Sequence, residues 1–521
     1  MQMIRFARGL GLVAALAVTG CKSLDIQNPN APDAKRALSD PAAIEAVGAG
    51  ALRTWFNTYE LMWTGGTLSP MAQTFTASWN NFNMNFYSSI DADGTRNSRA
   101  WQNDPAQAGR TNIERGWEGY YSAISSATDA LRAVRVNKVV VNTAADTKRL
   151  ETISVLALGM ALGEVALNYD KGYIVDETVD LGALQYSNRK QLRDAAVAKL
   201  TEAAALATAN SFTTPTGWTN GFSYTNTQIA QLANTYAAKV LAYYPRSAAE
   251  NAQVNWAQVL TFASRGISST TSFDLVFQGD GCVAWCHEIL TWFDAMDTGR
   301  VHTRVASMLD PVTQRTPWPD PTGNGKPNSA DKRLGDGSFG DASIVTGFGT
   351  YPKTANAGTD FAWSSQANFR PSRGQYHQSN IGHIRYDLTG KQDLNGIYSG
   401  FGPAPAILAA ENNLLWAEAL IRTGGSLDLA AQLINRTRVT RGGLPAATAA
   451  DGAAGLTARL SYEQEIELLG LGSVPYYNRR RVDGLVTGTP REMPVPAKEL
   501  GVKGEAFYTW GGATPSSPTP P

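Results

Sequence analysis

From Thr147 to Tyr169 the chain is apolar on every side. Leu150, Ile153, Leu156, Ala157, Met160, Ala161 and Val165 lie among further Ala, Leu and Val, and beyond Glu151 the one charge is Glu164. A helix without a polar face must be wrapped by other elements, because no side of it can meet water. The neighbouring segments have the amphipathic pattern needed to wrap it. Pro41 to Tyr59 places Ile44, Val47, Ala51, Leu52 and Trp55 on one stripe, and Trp117 to Val136 does so with Tyr120, Tyr121, Ile124, Ala127, Leu131 and Val134. Asn188 to Ala209 repeats the pattern with Leu192, Ala195, Ala196, Leu200 and Ala203. Thr225 to Tyr244 opens on a capping Thr or Asn, and a shorter helix spans Asn255 to Gly266. With 521 residues, 43 % of them hydrophobic, the chain can fill a large core.

The pattern changes between about Ser268 and Gly402, where Gly, Asn, Asp, Thr and Pro dominate. Loops, short strands and small helices are expected there, and so long an irregular region is where a site belongs. Helices return at Ala406 to Thr423, stopped by Gly424-Gly425, and at Ser426 to Val439. Together these form a hairpin of about 36 residues, close to the tetratricopeptide period of 34. The small residues Ala410, Ala417, Ala430 and Ala431 allow close packing. The pairs 147–169 with 188–209 and 225–244 with 255–266 read as divergent relatives. Tyr462 to Leu471 is a further helix. The expected fold is therefore mainly α, a right-handed tetratricopeptide-like scaffold of helical pairs over 37–510. It carries a large loop-rich, irregular ligand-binding region over about 268–402, and residues 511–521 form a disordered tail.

The N-terminus reads as an address. Arg5 and Arg8 precede an uncharged apolar run from Leu10 to Val18, too short for the roughly 20 residues of a bilayer span. Val18-Thr19-Gly20-Cys21 resembles the lipobox of bacterial lipoproteins, which implies removal of residues 1–20 and acylation of Cys21. Several acyl chains make a stable anchor. Lys22 to Arg36, polar and rich in Pro and Asn at first, reads as an extended tether. No later segment is read as a membrane span, so the body is expected to be soluble and held at a membrane surface.

Charge excludes one class of partner. Lys plus Arg and Asp plus Glu are 45 each, leaving no basic excess to neutralise nucleic-acid phosphates. Gly335-Asp336-Gly337-Ser338-Phe339-Gly340 matches G-x-G-x-x-G but lacks a strand before it and a helix after it, so it reads as a glycine loop. His287-Glu288 starts like a zinc-protease motif, but Trp292 stands at the next turn. The four histidines show no metal spacing, so no metal or other cofactor is expected. Cys282 and Cys286, in Cys282-Val283-Ala284-Trp285-Cys286-His287, are one residue too far apart for haem attachment and read as a disulfide pinning a loop that displays Trp285. No G-x-S-x-G elbow occurs, and acidic pairs such as Asp91 and Asp93 are too common to mark a glycosidase. Trp55, Trp117, Trp256 and Trp416 fall on helices and read as core. Trp79, Trp101, Trp285, Trp292, Trp318 and Trp363 fall in polar, irregular sequence, where a ring face can meet a sugar while Asn, Asp and Arg bond its hydroxyls.

The order of these features resembles the SusD/RagB family of outer-membrane nutrient-binding lipoproteins. The resemblance rests on Cys21 through Leu24-Asp25-Ile26-Gln27-Asn28-Pro29-Asn30, and on Trp117-Glu118-Gly119-Tyr120-Tyr121 with Ile124 and Ala127. Near the C-terminus it rests on Ala417 to Gly424, Ala431, Ile434 to Arg438, Arg441-Gly442-Gly443-Leu444-Pro445, Glu463, Glu467-Leu468, Tyr476 to Arg481, Pro494-Val495-Pro496 and Glu499-Leu500. Two departures stand out: Gln464 replaces the family's Arg beside the first Glu, and Gly470-Leu471-Gly472-Ser473 replaces an acidic, Arg-rich turn. The resemblance implies a non-enzymatic receptor at the outer membrane, facing the cell exterior. Such a receptor binds a nutrient, commonly an oligosaccharide, and passes it to a SusC-like TonB-dependent transporter. By region it points to Trp79, Asn81, Arg96, Trp101, Trp285 and Trp292 as ligand contacts. A scaffold for outer-membrane assembly without a small ligand, and a surface glycosidase, are the rival readings.

Overall fold

The computed structural model describes residues 39–76, 81–87, 99–293, 300–316, 324–336, 360–363, 379–386 and 400–517. Cys21, the signal 1–20 and the tether 21–36 lie outside the described residues. Among the described residues, six helices of eight residues or more build the first half: α1 (Pro41–Tyr59), α2 (Thr111–Leu131), α3 (Ala144–Asn168), α4 (Arg189–Ala209), α5 (Asn226–Tyr243) and α6 (Trp256–Ala263). Each packs on the next in sequence through α5, α6 packs on α5, and α1 also crosses α3. By length and composition α3 could cross a bilayer, yet its whole apolar stretch is buried in protein. The expected starts at Pro41, Asn188 and Thr225 coincide with caps, while α3 begins at Ala144 rather than Thr147 and α2 at Thr111 rather than Trp117. Asp40 accepts from the Ala42 N–H, Thr143 from that of Asp146, and Asn188 and Thr225 form reciprocal capping boxes with Gln191 and Gln228.

The far ends of these helices are closed by buried arginines. Arg246 donates to the carbonyls of Ala166, Leu167 and Tyr169 at the end of α3. Arg480 donates to Leu167 O at 2.9 Å and to Tyr243 O, the end of α5, at 2.8 Å. Guanidinium groups there satisfy orphan carbonyls and oppose the negative helix ends. Burial, with Arg246 beside it, pushes Arg480 down to about 9.

In the middle region β1 (Leu275–Asp280) leads into a short helix, α7 (Glu288–Phe293). Two three-residue strands, β2 (Phe361–Trp363) and β3 (Ile381–His383), pair antiparallel, and β4 (Phe401–Ile407) returns against β1 with Phe277 opposite Ala404. The second half then adds α8 (Ala409–Arg422), α9 (Leu427–Arg438), α10 (Gly452–Ile466) and α11 (Val474–Arg480). Helices α8, α9 and α10 pack mutually, and α6 joins the two helical groups through α8. The molecule is mainly helical, as the periodicities require.

Two expectations need correction. The helix expected at Tyr462 to Leu471 begins ten residues earlier, at Gly452, because Leu456, Leu460 and Ile466 supply a buried stripe in an Ala-rich segment. The tail expected to be disordered is held as far as Ser517. Arg491 N–H donates to Pro515 O at 2.7 Å, Gly512 N–H to Gly488 O at 2.8 Å, and Ser517 N–H to Glu492 Oε1 at 2.5 Å.

The irregular region is clamped to the helices by buried charge. Arg333 reaches Asp331, Glu463 and Glu467, while Arg385 and Arg441 also meet Glu467. Glu463, Glu467 and Arg441 are residues that carry the family resemblance, and here they anchor the irregular region to the helical scaffold.

Candidate functional site

The turn after α1 and the helix α7 are tied together by one backbone N–H donated from each side. Ile289 N–H donates to Glu60 O at 3.2 Å, and Met62 N–H donates to Glu288 Oε2 at 2.8 Å. Asn57 grips the disulfide loop from both sides: its Nδ2 donates to Ala284 O at 2.8 Å and its Oδ1 accepts from Cys286 N–H at 3.1 Å. This places Trp63, in the π-helical turn Met62–Gly66, near Trp292 of α7. Phe82 stands between them, edge-on to Trp63 at 4.7 Å and edge-on to Trp292 at 5.8 Å. All three rings are half-buried. They form an aromatic shelf of partly exposed residues.

Polar groups border the shelf. Glu288 lies one turn before Trp292, and burial raises its carboxyl above the ordinary range while the Met62 N–H and the exposed Arg115 draw it back. Asn83 follows Phe82 directly. Apolar rings edged by an amide and a carboxyl suit a ligand with C–H faces and hydroxyls.

Of the residues expected from sequence, Trp292 is in this shelf. Trp79 and Arg96 lie outside the described residues. The backbone of Asn81 opens the 3-10 turn Asn81–Asn83, but its side chain lies outside the described residues. Trp101 is not at a surface: it is 2 % exposed, packs on Tyr87 at 4.8 Å and donates its indole N–H to Glu492 O at 2.8 Å. Cys282 and Cys286 do form a disulfide, with Cα atoms 4.3 Å apart. Trp285, expected to be displayed on that loop, is 7 % exposed and stacks on Phe277 at 5.7 Å. The carboxylate of Asp280 collects the N–H groups of Val283, Ala284 and Trp285, which turns the ring inward and leaves Val283 outside. Trp55, Trp117 and Trp256 are buried as expected, and Trp416 is half-buried. Trp63 was not distinguished by sequence pattern, Phe82 only as part of the mixed aromatic and polar stretch Ser78 to Asn83, and Glu288 only as the neighbour of His287.

Behind the shelf lies buried, titratable chemistry. His287 Nδ1 accepts from the Leu290 N–H, so its proton sits on Nε2, 3.1 Å from Glu60 Oε2. Burial pushes His287 down to about 3 and Glu60 well above the usual carboxylate range. Glu164 and Glu411 are raised for the same reason, partly offset by Lys239. Burial raises all three carboxyls around one lysine, so they favour folding below their unfolded values near 4.5 and progressively less as pH rises through the raised ones. Glu60→Gln keeps the shape and removes this proton demand. Its melting temperature is expected to exceed the parent's at pH 8 by a few degrees, with the difference closing by pH 4.5; equal curves at both pH values would contradict it.

No family model matches the chain, and no curated protein is significantly similar to it in sequence. Solved structures are similar in fold. A SusD superfamily protein from Bacteroides vulgatus superposes with a TM-score of 0.57 at 14 % identity, covering 89 % of this chain and 97 % of that one. A SusD-like carbohydrate binding protein from Bacteroides fragilis gives 0.54 at 14 %, covering 85 % and 86 %. Another SusD-like carbohydrate binding protein, from Bacteroides vulgatus, gives 0.53 at 13 %, covering 85 % and 83 %. The chain thus has the SusD-like fold across nearly its whole described length.

Proposed function

We propose that this chain is a surface receptor that binds a glycan on the shelf of Trp63, Phe82 and Trp292 and breaks no bond in it. The observation that carries the reading is that shelf: three half-buried rings, with Asn83 and Glu288 beside them, on a scaffold shared with SusD-like carbohydrate binding proteins. A zero net charge suits an uncharged ligand. The lipobox resemblance around Cys21 supports tethering to the outer membrane by acyl chains, facing outward, and delivery to a SusC-like TonB-dependent transporter completes the proposal.

Calorimetry against a panel of neutral oligosaccharides tests the binding. Trp63→Ala and Trp292→Ala are each expected to weaken the glycan bound by the parent about tenfold or more, since each removes a buried aromatic contact at the centre of the site. Melting temperatures should fall by only a few degrees, because both rings are half-exposed. Silence across the panel, or binding that both variants retain, would reject the shelf as the site. Mass spectrometry of the purified membrane form tests the anchor: an unmodified Cys21 would reject it.

A further inference from the structure

We infer that Asn112 is the positioning residue of the shelf, an inference that rests on the shelf being the ligand site. Asn112 stands in the first turn of α2 and is fully buried. Its two Nδ2 hydrogens face three acceptors: Phe82 O at 2.7 Å, Trp63 O at 2.9 Å and Thr67 Oγ1 at 2.7 Å. Its Oδ1 accepts from Asn83 Nδ2 at 2.8 Å. One side chain therefore holds the backbone of two shelf residues and the side chain of a third residue bordering the shelf. Thr67 adds to the same node, donating to Trp63 O at 3.1 Å.

The hold matters because of what it holds. Phe82 and Asn83 have φ of +57° and +56°, two successive side-chain-bearing residues in the left-handed region. Asn tolerates that region and Phe does not, so the pair persists only where its surroundings over-determine it. Left alone, Phe82 would return to an ordinary conformation and its ring would leave the space between Trp63 and Trp292. Asparagine chemistry matches this node, presenting two N–H donors toward carbonyls and one oxygen toward an amide, without charge. Aspartate has the same shape but would turn an oxygen toward the Trp63 and Phe82 carbonyls. The shelf is thus assembled before any ligand arrives, and the cost of ordering it does not fall on binding.

The test has an arm that needs no ligand. Protein labelled with 5-fluorotryptophan gives resonances for Trp63 and Trp292, assigned by Trp63→Phe and Trp292→Phe. In Asn112→Asp both should shift or broaden while that of Trp55, deep in the core, stays in place. Affinity for the glycan bound by the parent should fall about tenfold, in keeping with a lost preorganisation. Should Asn112→Asp not fold, Asn83→Ala and Asn83→Gly replace it. Alanine loses the bond to Asn112 and resists positive φ, so the shelf signals should move. Glycine adopts positive φ unaided, so they should stay. Unmoved Trp63 and Trp292 signals in folded Asn112→Asp, or in Asn83→Ala, overturn the inference. If the parent binds no glycan at all, the functional reading fails, and the fluorine signals still decide the role of Asn112.

Discussion

Replacing Arg333 with methionine is expected to lower stability by about 3–5 kcal/mol, the cost of leaving buried carboxylates without their cation. Arg333 is fully buried and its whole fork is engaged: Nη1 meets Glu463 Oε2 at 2.8 Å and Glu467 Oε2 at 3.0 Å, Nη2 meets Asp331 Oδ2 at 2.7 Å, and Nε meets Asp331 Oδ1 at 3.0 Å. Its own carbonyl accepts from the N–H groups of Asp360 and Phe361 at 2.8 and 2.9 Å. One residue therefore joins two pieces of the irregular region, its own segment and Asp360-Phe361, to the C-terminal end of α10 and the residue that follows it. Burial pushes Glu467 up, and Arg385, Arg441 and Arg333 together hold it below the ordinary range. Burial leaves Glu463 raised even with Arg333 beside it. Without Arg333, the partners of Glu463 among the described residues are Thr437 and the more distant Arg438. Thermal melting should show a drop of roughly 5 °C or more. Limited proteolysis should cut first within residues 324–386, because the clamp fails before the helices do. Adding Glu463→Gln to Arg333→Met should recover part of the loss, since the neutral amide no longer needs the cation. A variant that melts with the parent would show that this cluster does not hold the region down.

The helices were legible because their signals are local. The stripe in α1 and the caps at Asn188 and Thr225 lie within a few residues of what they specify, and the all-round apolar run of α3 can only be central. The clamp was not legible. Arg333 and Glu463 are 130 residues apart, and nothing near either one names the other. The resemblance marked Glu463, Glu467 and Arg441 but not the arginine of the irregular region that they meet. The same distance explains the tryptophans. Trp101 is claimed by Glu492 O, 391 residues away, and the loop of Trp285 is turned inward by Asp280 and gripped by Asn57, 227 residues from Ala284. Polar flanking sequence is a sign of an irregular backbone, and an irregular backbone can bury a ring as well as show it. Trp63 carried no such flag, since it follows the expected helix Pro41 to Tyr59 in a short apolar run, Leu61-Met62-Trp63, without polar flanks on both sides. The local hint at Phe82 was its flanking by Asn81 and Asn83, the residue type that best tolerates a left-handed turn.

The departure at Gln464 leads to the second large effect. Gln464 Nε2 donates to Glu418 Oε2 at 2.9 Å, and Glu418 already receives both arms of Arg481, at 2.7 and 2.6 Å, and Arg422 Nε at 2.8 Å. With two guanidinium groups in place, a neutral amide completes the carboxylate, and a third cation would leave positive charge unpaired in the core. Burial alone would raise Glu418, but Arg481, Arg422 and Gln464 hold it down to about 2, against 4.5 for an ordinary glutamate. That gap corresponds to roughly 3 kcal/mol of stability, all present above pH 4.5 and lost as pH falls toward 2, because there the unfolded chain takes up the proton first. Arg481→Met is therefore expected to cost about 3 kcal/mol at pH 7. Its stability should then fall less steeply than the parent's between pH 4.5 and 2, because Glu177, Glu250 and Glu467 stay depressed in both while Glu418 is depressed only in the parent, so the two melting curves converge in acid. Glu60, Glu164 and Glu411 slope the other way above pH 4.5, so the parent should be most stable in mild acid and weaker on both sides. If Arg481→Met instead keeps a constant offset from the parent down to pH 2, the ion pair with Glu418 is not what makes the fold acid-sensitive.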